Sequence, residues 1–123
     1  MIGYVSLGTK DMQRASAFYD ALLAELGAQR TLNFDRFVIW GKSPSEAALA
    51  VCTPYDGNRA TVGNGVMVAL ACADRAEVDR LYARALALGA TDEGAPGERG
   101  PGFYAAYFRD LDGNKLNFFK IDG

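Results

Sequence analysis

The chain has 123 residues, half of them hydrophobic and 23% charged, a balance typical of a single soluble globular domain. Its formal net charge is −2 and it has no block of basic residues, so we expect no nucleic-acid partner. No apolar run approaches the roughly 20 residues of a membrane span, so we expect no membrane partner either.

The compartment can be judged from the N-terminus and from the cysteines. The first residues alternate as a strand does and carry no basic segment of a signal peptide. Cys52 and Cys72 lie in apolar runs without CxxC spacing, which is typical of buried, reduced thiols; a disulfide or a reactive thiol is the alternative. We therefore expect a cytoplasmic protein.

The first half of the chain predicts one helix among four strands. Residues Ile2–Thr9 alternate and are rich in β-branched and aromatic types, which indicates a strand. From Asp11, a plausible N-cap, the period becomes helical, and Gly27 is placed to end the helix. Further strands are predicted over Ala28–Leu32, Arg36–Gly41 and Ala47–Thr53.

The second half repeats this order. After the segment 54–64, which we interpret as a linker, Val66–Cys72 predicts a strand and Asp74 with Glu77 gives the spacing of a capping box. Gly89 is placed to end the second helix. The remaining strands are predicted over Ala90–Glu93, Phe103–Arg109 and Lys115–Ile121, the last two joined by a turn at Asp112-Gly113-Asn114.

The two halves match residue by residue. At an offset of 63 residues the shared positions include Tyr4 and Met67, Val5 and Val68, Leu7 and Leu70, Asp11 and Asp74, and Tyr19 and Tyr82. The sequence therefore predicts an α+β fold in a single domain with two tandem βαβββ modules, residues 1–53 and 65–123. Because one helix covers only one face of a four-stranded sheet, we expect a curved mixed sheet around a shared cleft, which is the default ligand site.

Several stretches carry a resemblance to a known family. They are Leu7-Gly8-Thr9 followed by Asp11, Ala17-Phe18-Tyr19-Asp20, Leu26-Gly27-Ala28, and the closing run from Phe108 to Leu116, in which Asp110-Leu111-Asp112-Gly113-Asn114 resembles a D-P-D-G-N hairpin. In these features the chain resembles the vicinal oxygen chelate superfamily. That family includes glyoxalase I, bleomycin-resistance proteins, fosfomycin-resistance enzymes and extradiol dioxygenases.

The resemblance also implies where a metal would bind. Metal-dependent members place a His on the first strand of each module and a Glu or Gln on each last strand. Here Tyr4 and Met67 take the His positions, Asn117 takes one Glu position, and the other falls between Ala50 and Cys52. The chain has no His, and a phenol, a thioether and an amide are weak ligands for a divalent ion. We therefore expect no metal site and no cofactor.

Strand alternation predicts which residues face the cleft, and no catalytic residue is identified. We expect the segment 94–102, rich in glycine and proline, to be irregular, either a flap that brings Arg99 to an anionic ligand or a plain connection. Tyr4 and Met67 could instead fill a collapsed cavity, and the aromatic residues could belong to the core. The candidate ligand-binding residues are Tyr4, Ser6, Trp40, Cys52, Met67, Arg99, Tyr107, Asn117 and Phe119.

Three functions fit this pattern. The first is a protein of the bleomycin-resistance kind that holds a small, partly apolar or aromatic molecule without a metal. The second is a glyoxalase-like or dioxygenase-like enzyme, a lyase or an oxygenase, with a non-standard site. The third is an interaction module with a vestigial cleft. The resemblance implies a homodimer under each of them.

Overall fold

The computed structural model describes residues 1–122 and contains two four-stranded mixed sheets, each with one helix. In module 1 the strand order is β1-β4-β3-β2; β1 and β4 are parallel and the other neighbours antiparallel. The elements are β1 (Tyr4–Gly8), α1 (Met12–Ala24), β2 (Gln29–Phe34), β3 (Phe37–Gly41) and β4 (Ala48–Cys52).

Module 2 repeats this arrangement. Its strand order is β5-β8-β7-β6, again with the first and last strands of the module parallel. The elements are β5 (Val68–Ala71), α2 (Arg75–Ala87), β6 (Thr91–Glu98), β7 (Phe103–Arg109) and β8 (Lys115–Ile121). The predicted α+β class and the two βαβββ repeats are therefore confirmed. Residues 1–63 form one compact unit and the following described residues another; the linker bounds stay a prediction.

Both helices begin at the expected caps. The Asp11 carboxylate accepts the Arg14 backbone N–H at 3.1 Å, and the Asp74 carboxylate accepts the Glu77 N–H at 2.8 Å. The Glu77 side chain accepts the backbone N–H of Ala73 at 3.0 Å. In a standard capping box it would accept the N–H of the cap residue Asp74 itself, so the bond is shifted by one residue. These bonds pair N–H groups that the helix itself leaves unsatisfied.

Both helices also end in the same way. Gly27 has φ +80° and Gly89 has φ +106°, a left-handed conformation that a residue with a Cβ rarely adopts. The next residue then donates its N–H back to a carbonyl five residues earlier, Ala28 to Leu23 and Ala90 to Ala85, each at 3.0 Å. The two predicted terminators are thus confirmed as a pair.

Each sheet has one face packed against its helix. In module 1 this face carries Leu7, Val38 and Val51, which are buried with residues of α1 such as Phe18 and Leu22. Because strand neighbours alternate between faces and paired residues share one, the opposite side chains can be assigned. We call this the helix-free face; it carries Tyr4, Ser6, Phe37, Ile39, Ala50 and Cys52 in module 1, and Ala69, Ala105, Tyr107, Lys115, Asn117 and Phe119 in module 2.

Two predicted strand boundaries in module 2 are wrong. Strand β6 extends to Glu98, so the first half of the segment expected to be irregular is a strand. As the edge strand of its sheet, β6 tolerates Pro96, and two register shifts, at Asp92/Gly94 and Gly94/Gly97, accommodate the glycines. Strand β5 is shorter than predicted, and Met67 lies just before it.

The turn between β7 and β8 is built around a buried carboxylate. Asp110 is nearly inaccessible, and its Oδ1 accepts the backbone N–H groups of Asp112 and Asn114, both at 2.9 Å. Its Oδ2 accepts the side-chain amide of Asn114 at 3.0 Å, while Gly113 takes φ +89° at the tip. The short side chain of Asp110 therefore fixes the hairpin that sets the position of β8.

Replacing this carboxylate should destabilise the fold. Asp110→Ala removes the acceptor of three hydrogen bonds, two of them buried, so we expect the free energy of unfolding to fall by about 2–4 kcal/mol in urea denaturation. Asp56→Ala is the matched control, because Asp56 makes similar bonds to Asn58 in an exposed turn. The control should change stability by less than about 0.5 kcal/mol. Equal effects of the two substitutions would contradict this account of the turn.

Candidate functional site

On the helix-free face of module 1, two aromatic rings meet above a small residue. Tyr4 and Phe37 lie edge to face with ring centroids 5.8 Å apart. Tyr4 is on β1 and Phe37 on β3, so the strand between them is β4, where Ala50 is 0% exposed. Tyr4 itself stays 55% exposed. The two rings therefore lie next to Ala50 on this face, and the role of Tyr4 as a ligand contact stays a prediction.

The strand registers show which residue of module 1 corresponds to Asn117. Val5 pairs with Leu49 in module 1, and Val68 pairs with Leu116 in module 2. Because Val5 and Val68 are equivalent, the next residues on the last strands, Ala50 and Asn117, are equivalent too. The uncertain position between Ala50 and Cys52 is therefore Ala50, and Cys52 corresponds to Phe119 on the same face.

On the helix-free face of module 2, Asn117 is buried without a full set of partners. Its side chain is 1% exposed, and its Oδ1 is the one buried side-chain N or O atom in residues 1–122 that lacks a hydrogen bond. Its cross-strand neighbours are Ala69 on β5 and Tyr107 on β7. Leaving such an acceptor unpaired costs about 1–3 kcal/mol, so its presence needs a reason.

Aromatic and cationic side chains surround this amide. Phe119, two residues along β8, stacks on Phe103 with ring centroids 5.9 Å apart. Arg99 and Lys115 each place their charged group 5.5 Å from the centroid of the Tyr107 ring. Sequence reasoning named Arg99 but missed Lys115. Lys115 lies two residues before Asn117 on the same strand, and therefore on the same face, and this spacing could have identified it from the sequence.

The candidate Trp40 and a further aromatic residue, Tyr104, lie on the helix side instead. Trp40 is 1% exposed; its indole N–H donates to Asp20 at 2.8 Å, and its ring lies 5.7 Å from that of Tyr19. It therefore packs in the core of module 1, and its role as a ligand contact stays a prediction. The Tyr104 hydroxyl donates to Asp79 at 2.6 Å, and this bond raises the pKa of the phenol because it stabilises the protonated form.

A groove of about 300 Å³ lies between α1 and the β2–β3 edge of module 1. Two of its charged residues pair with each other, since Arg30 donates to both Asp20 oxygens at 2.8 and 2.7 Å. Its lining consists of Met12, Gln13, Ser16, Ala17, Asp20, Arg30, Asn33, Phe34, Asp35 and Val38, and sequence patterns did not predict this groove.

The residues at the family's ligand positions do not fit a metal. They are a phenol at Tyr4, a methyl group at Ala50, a thioether at Met67 and an amide at Asn117, whereas divalent ions take imidazole, carboxylate or thiolate groups. Within residues 1–122 no three Cys, Asp or Glu side chains cluster so that they could hold an ion. Helices of the described chain are also too short or too polar to span a membrane.

Comparison with known proteins identifies the family. The sequence profile of the Glyoxalase/Bleomycin resistance protein/Dioxygenase superfamily matches residues 1–118. The chain belongs to this superfamily, and the predicted resemblance is confirmed. None of the curated proteins with which it was compared matches.

Solved structures agree with this assignment. A glyoxalase/bleomycin resistance protein from Albidiferax ferrireducens is 34% identical with a TM-score of 0.88, and the match covers 97% of each chain. A superfamily enzyme from Burkholderia phytofirmans is 21% identical with a TM-score of 0.79, over 98% of each chain. Lactoylglutathione lyase from Agrobacterium tumefaciens is 23% identical with a TM-score of 0.70, over 97% of this chain and 92% of that one. The last two show the shared fold alone.

The hydrogen bonds that Asp20 accepts from Arg30 and Trp40 predict that stability depends on pH. The hydrogen bonds from Arg30 are the main cause that lowers the Asp20 pKa, so the charged form stabilises the fold above the unfolded pKa of about 3.9. Since this side chain is 44% exposed, we expect Asp20→Asn to lower the free energy of unfolding by about 1 kcal/mol at pH 7. The difference should shrink as pH falls through the folded pKa. Urea denaturation of the wild type and of Asp20→Asn at pH 3 and pH 7 measures this, and an equal difference at both pH values would contradict it.

The unpaired Asn117 oxygen predicts that an apolar replacement stabilises the protein. Asn117→Leu removes a buried acceptor at similar volume, so the free energy of unfolding should rise by about 1 kcal/mol. Asn114→Leu is the matched control, because Asn114 is also buried but its amide is bonded to Asp110. The free energy of unfolding of Asn114→Leu should fall by about 1–3 kcal/mol. A loss of stability in both variants would show that Asn117 is satisfied in the folded protein.

Proposed function

We propose that this protein binds a small, partly apolar or aromatic molecule on the helix-free face of module 2, without a catalytic metal. The observation that carries the proposal is the buried Asn117 Oδ1 that has no donor. A ligand N–H or O–H would satisfy that atom, and the cost of leaving it unpaired would then be removed on binding. The cleft expected between the modules stays a prediction, as does the homodimer.

The surroundings of Asn117 suit such a ligand. Ala69 has only a methyl group next to the amide, and the stacked rings of Phe103 and Phe119 offer apolar surface on the same face. Ligand sites are in general mostly apolar with a few placed polar groups, which this combination reproduces. Module 1 differs, because Tyr4 and Phe37 occupy the equivalent space.

A thermal-shift screen tests the proposal. Aromatic antibiotics, glutathione conjugates and small phosphonates are added to the wild type and to Asn117→Leu. A binder at 100 times its dissociation constant stabilises the fold by about 2.7 kcal/mol, which shifts the Tm by several degrees. We expect at least one class to raise the Tm of the wild type and to have a smaller effect on Asn117→Leu. If no compound shifts the wild type, the proposal fails and a vestigial site is favoured.

Metal content separates this function from a glyoxalase-like or dioxygenase-like enzyme. We expect elemental analysis of protein purified without chelators and then dialysed to give less than about 0.1 transition-metal ion per chain, because the donors at the family positions bind such ions weakly. About one ion per chain that survives dialysis would overturn the metal-free proposal. It would favour the enzyme instead.

A further inference from the structure

The helix-free face of module 2 holds two cations beside one aromatic ring. From the geometry of these groups we propose that the ligand is an organic anion that also carries a hydrogen-bond donor, an inference that rests on the proposed function and names its ligand class. Arg99 approaches Tyr107 from the β6–β7 connection and Lys115 from β8, each with its charge 5.5 Å from the ring centroid. Tyr107 in turn lies opposite Asn117 in the sheet.

Two glycines of β6 lie beside the Arg99 guanidinium. A Cβ added at Gly97 would lie 2.8 Å from Arg99 Nη1, and one added at Gly94 would lie 3.3 Å from Nη2. The guanidinium folds back along β6 and lies beside these glycines. There Nη2 donates to the Ala95 carbonyl. The segment expected to be an irregular flap thus places a cation against Tyr107.

Neither cation is neutralised within residues 1–122, where no carboxylate pairs with Arg99 or Lys115. The acidic residues nearest to Arg99 in sequence are bound by other groups: Asp92 by the Tyr82 hydroxyl, Glu93 by Arg109 and Glu98 by Arg75. Two like charges at one ring repel each other, and an anion between them would reverse the sign of that interaction. The arrangement therefore favours a negatively charged group.

The two requirements together define the ligand. Guanidinium and ammonium groups bind carboxylate, phosphate or phosphonate oxygens, whereas Asn117 Oδ1 requires an N–H or O–H donor. Directly opposite residues of an antiparallel pair have Cβ atoms about 5 Å apart, so one small molecule can reach both Tyr107 and Asn117. A small aromatic or partly apolar acid with a hydroxyl or amide N–H meets both requirements.

Calorimetric titration with four probes tests this assignment. Para-hydroxybenzoate has both features, benzoate lacks the donor, para-hydroxybenzamide lacks the charge, and phenylphosphonate changes the anionic group of benzoate. We expect para-hydroxybenzoate to bind about tenfold more tightly than para-hydroxybenzamide, a difference of one charged contact. It should also bind severalfold more tightly than benzoate. The comparison of benzoate with phenylphosphonate shows whether the site prefers a carboxylate or a phosphonate.

Variants assign the effect to the two cations. Arg99→Gln and Lys115→Gln should each lower the affinity for para-hydroxybenzoate about tenfold. The affinity for para-hydroxybenzamide should stay within about twofold of the wild-type value. Lys120→Gln is the control, since Lys120 lies on the same strand but on the helix side, and it should change neither. Equal affinity for the acid and the amide, insensitivity to both variants, or no binding of any probe at about 10 mM would overturn the anion assignment. The thermal-shift screen with uncharged aromatic compounds would still decide the proposed function independently.

Discussion

Strand alternation, held in register by two parallel strand pairs, decides which side chains of this protein share a face. The pairing of Val5 with Leu49 and of Val68 with Leu116 turns the apolar residues of each sheet toward its helix. It also turns Tyr4, Ala50 and Asn117 to the helix-free face. A shift of one residue would exchange the two faces, so this register is strongly specified by the buried core. The helix caps and the Asp110 turn support it by fixing where each strand begins.

The two modules use the same positions differently. In module 1 the position equivalent to Asn117 is Ala50, which is fully buried next to the Tyr4 and Phe37 rings and has no polar side-chain atom. In module 2 the position carries an amide that the fold itself does not satisfy. A polar group that reduces stability where an apolar one would fit is a common property of binding sites. The duplication thus retains a structural copy and a copy with unmet hydrogen-bonding capacity.

Sequence patterns predicted the repeat, the helix ends and the family because these depend on local signals: a capping side chain, a glycine with positive φ, a period of two or of 3.6. The position of Trp40 could not be derived in this way, since its burial depends on packing against Tyr19 and on a bond to Asp20. Strand β6 was misjudged because the tolerance for Pro96 comes from its place at the sheet edge, which is a tertiary property. The contribution of Lys115 likewise required knowledge of which ring it approaches.

The central claim is that Asn117 Oδ1 is an acceptor reserved for a ligand. The most direct measurement is a high-resolution crystal structure of the protein with a compound that raises its Tm. The account predicts an N–H or O–H group of that compound about 2.7–3.2 Å from Asn117 Oδ1, on the helix-free face of module 2. A metal ion bonded to this oxygen at about 2.1 Å, or a compound bound elsewhere while the amide is satisfied by the protein itself, would contradict it.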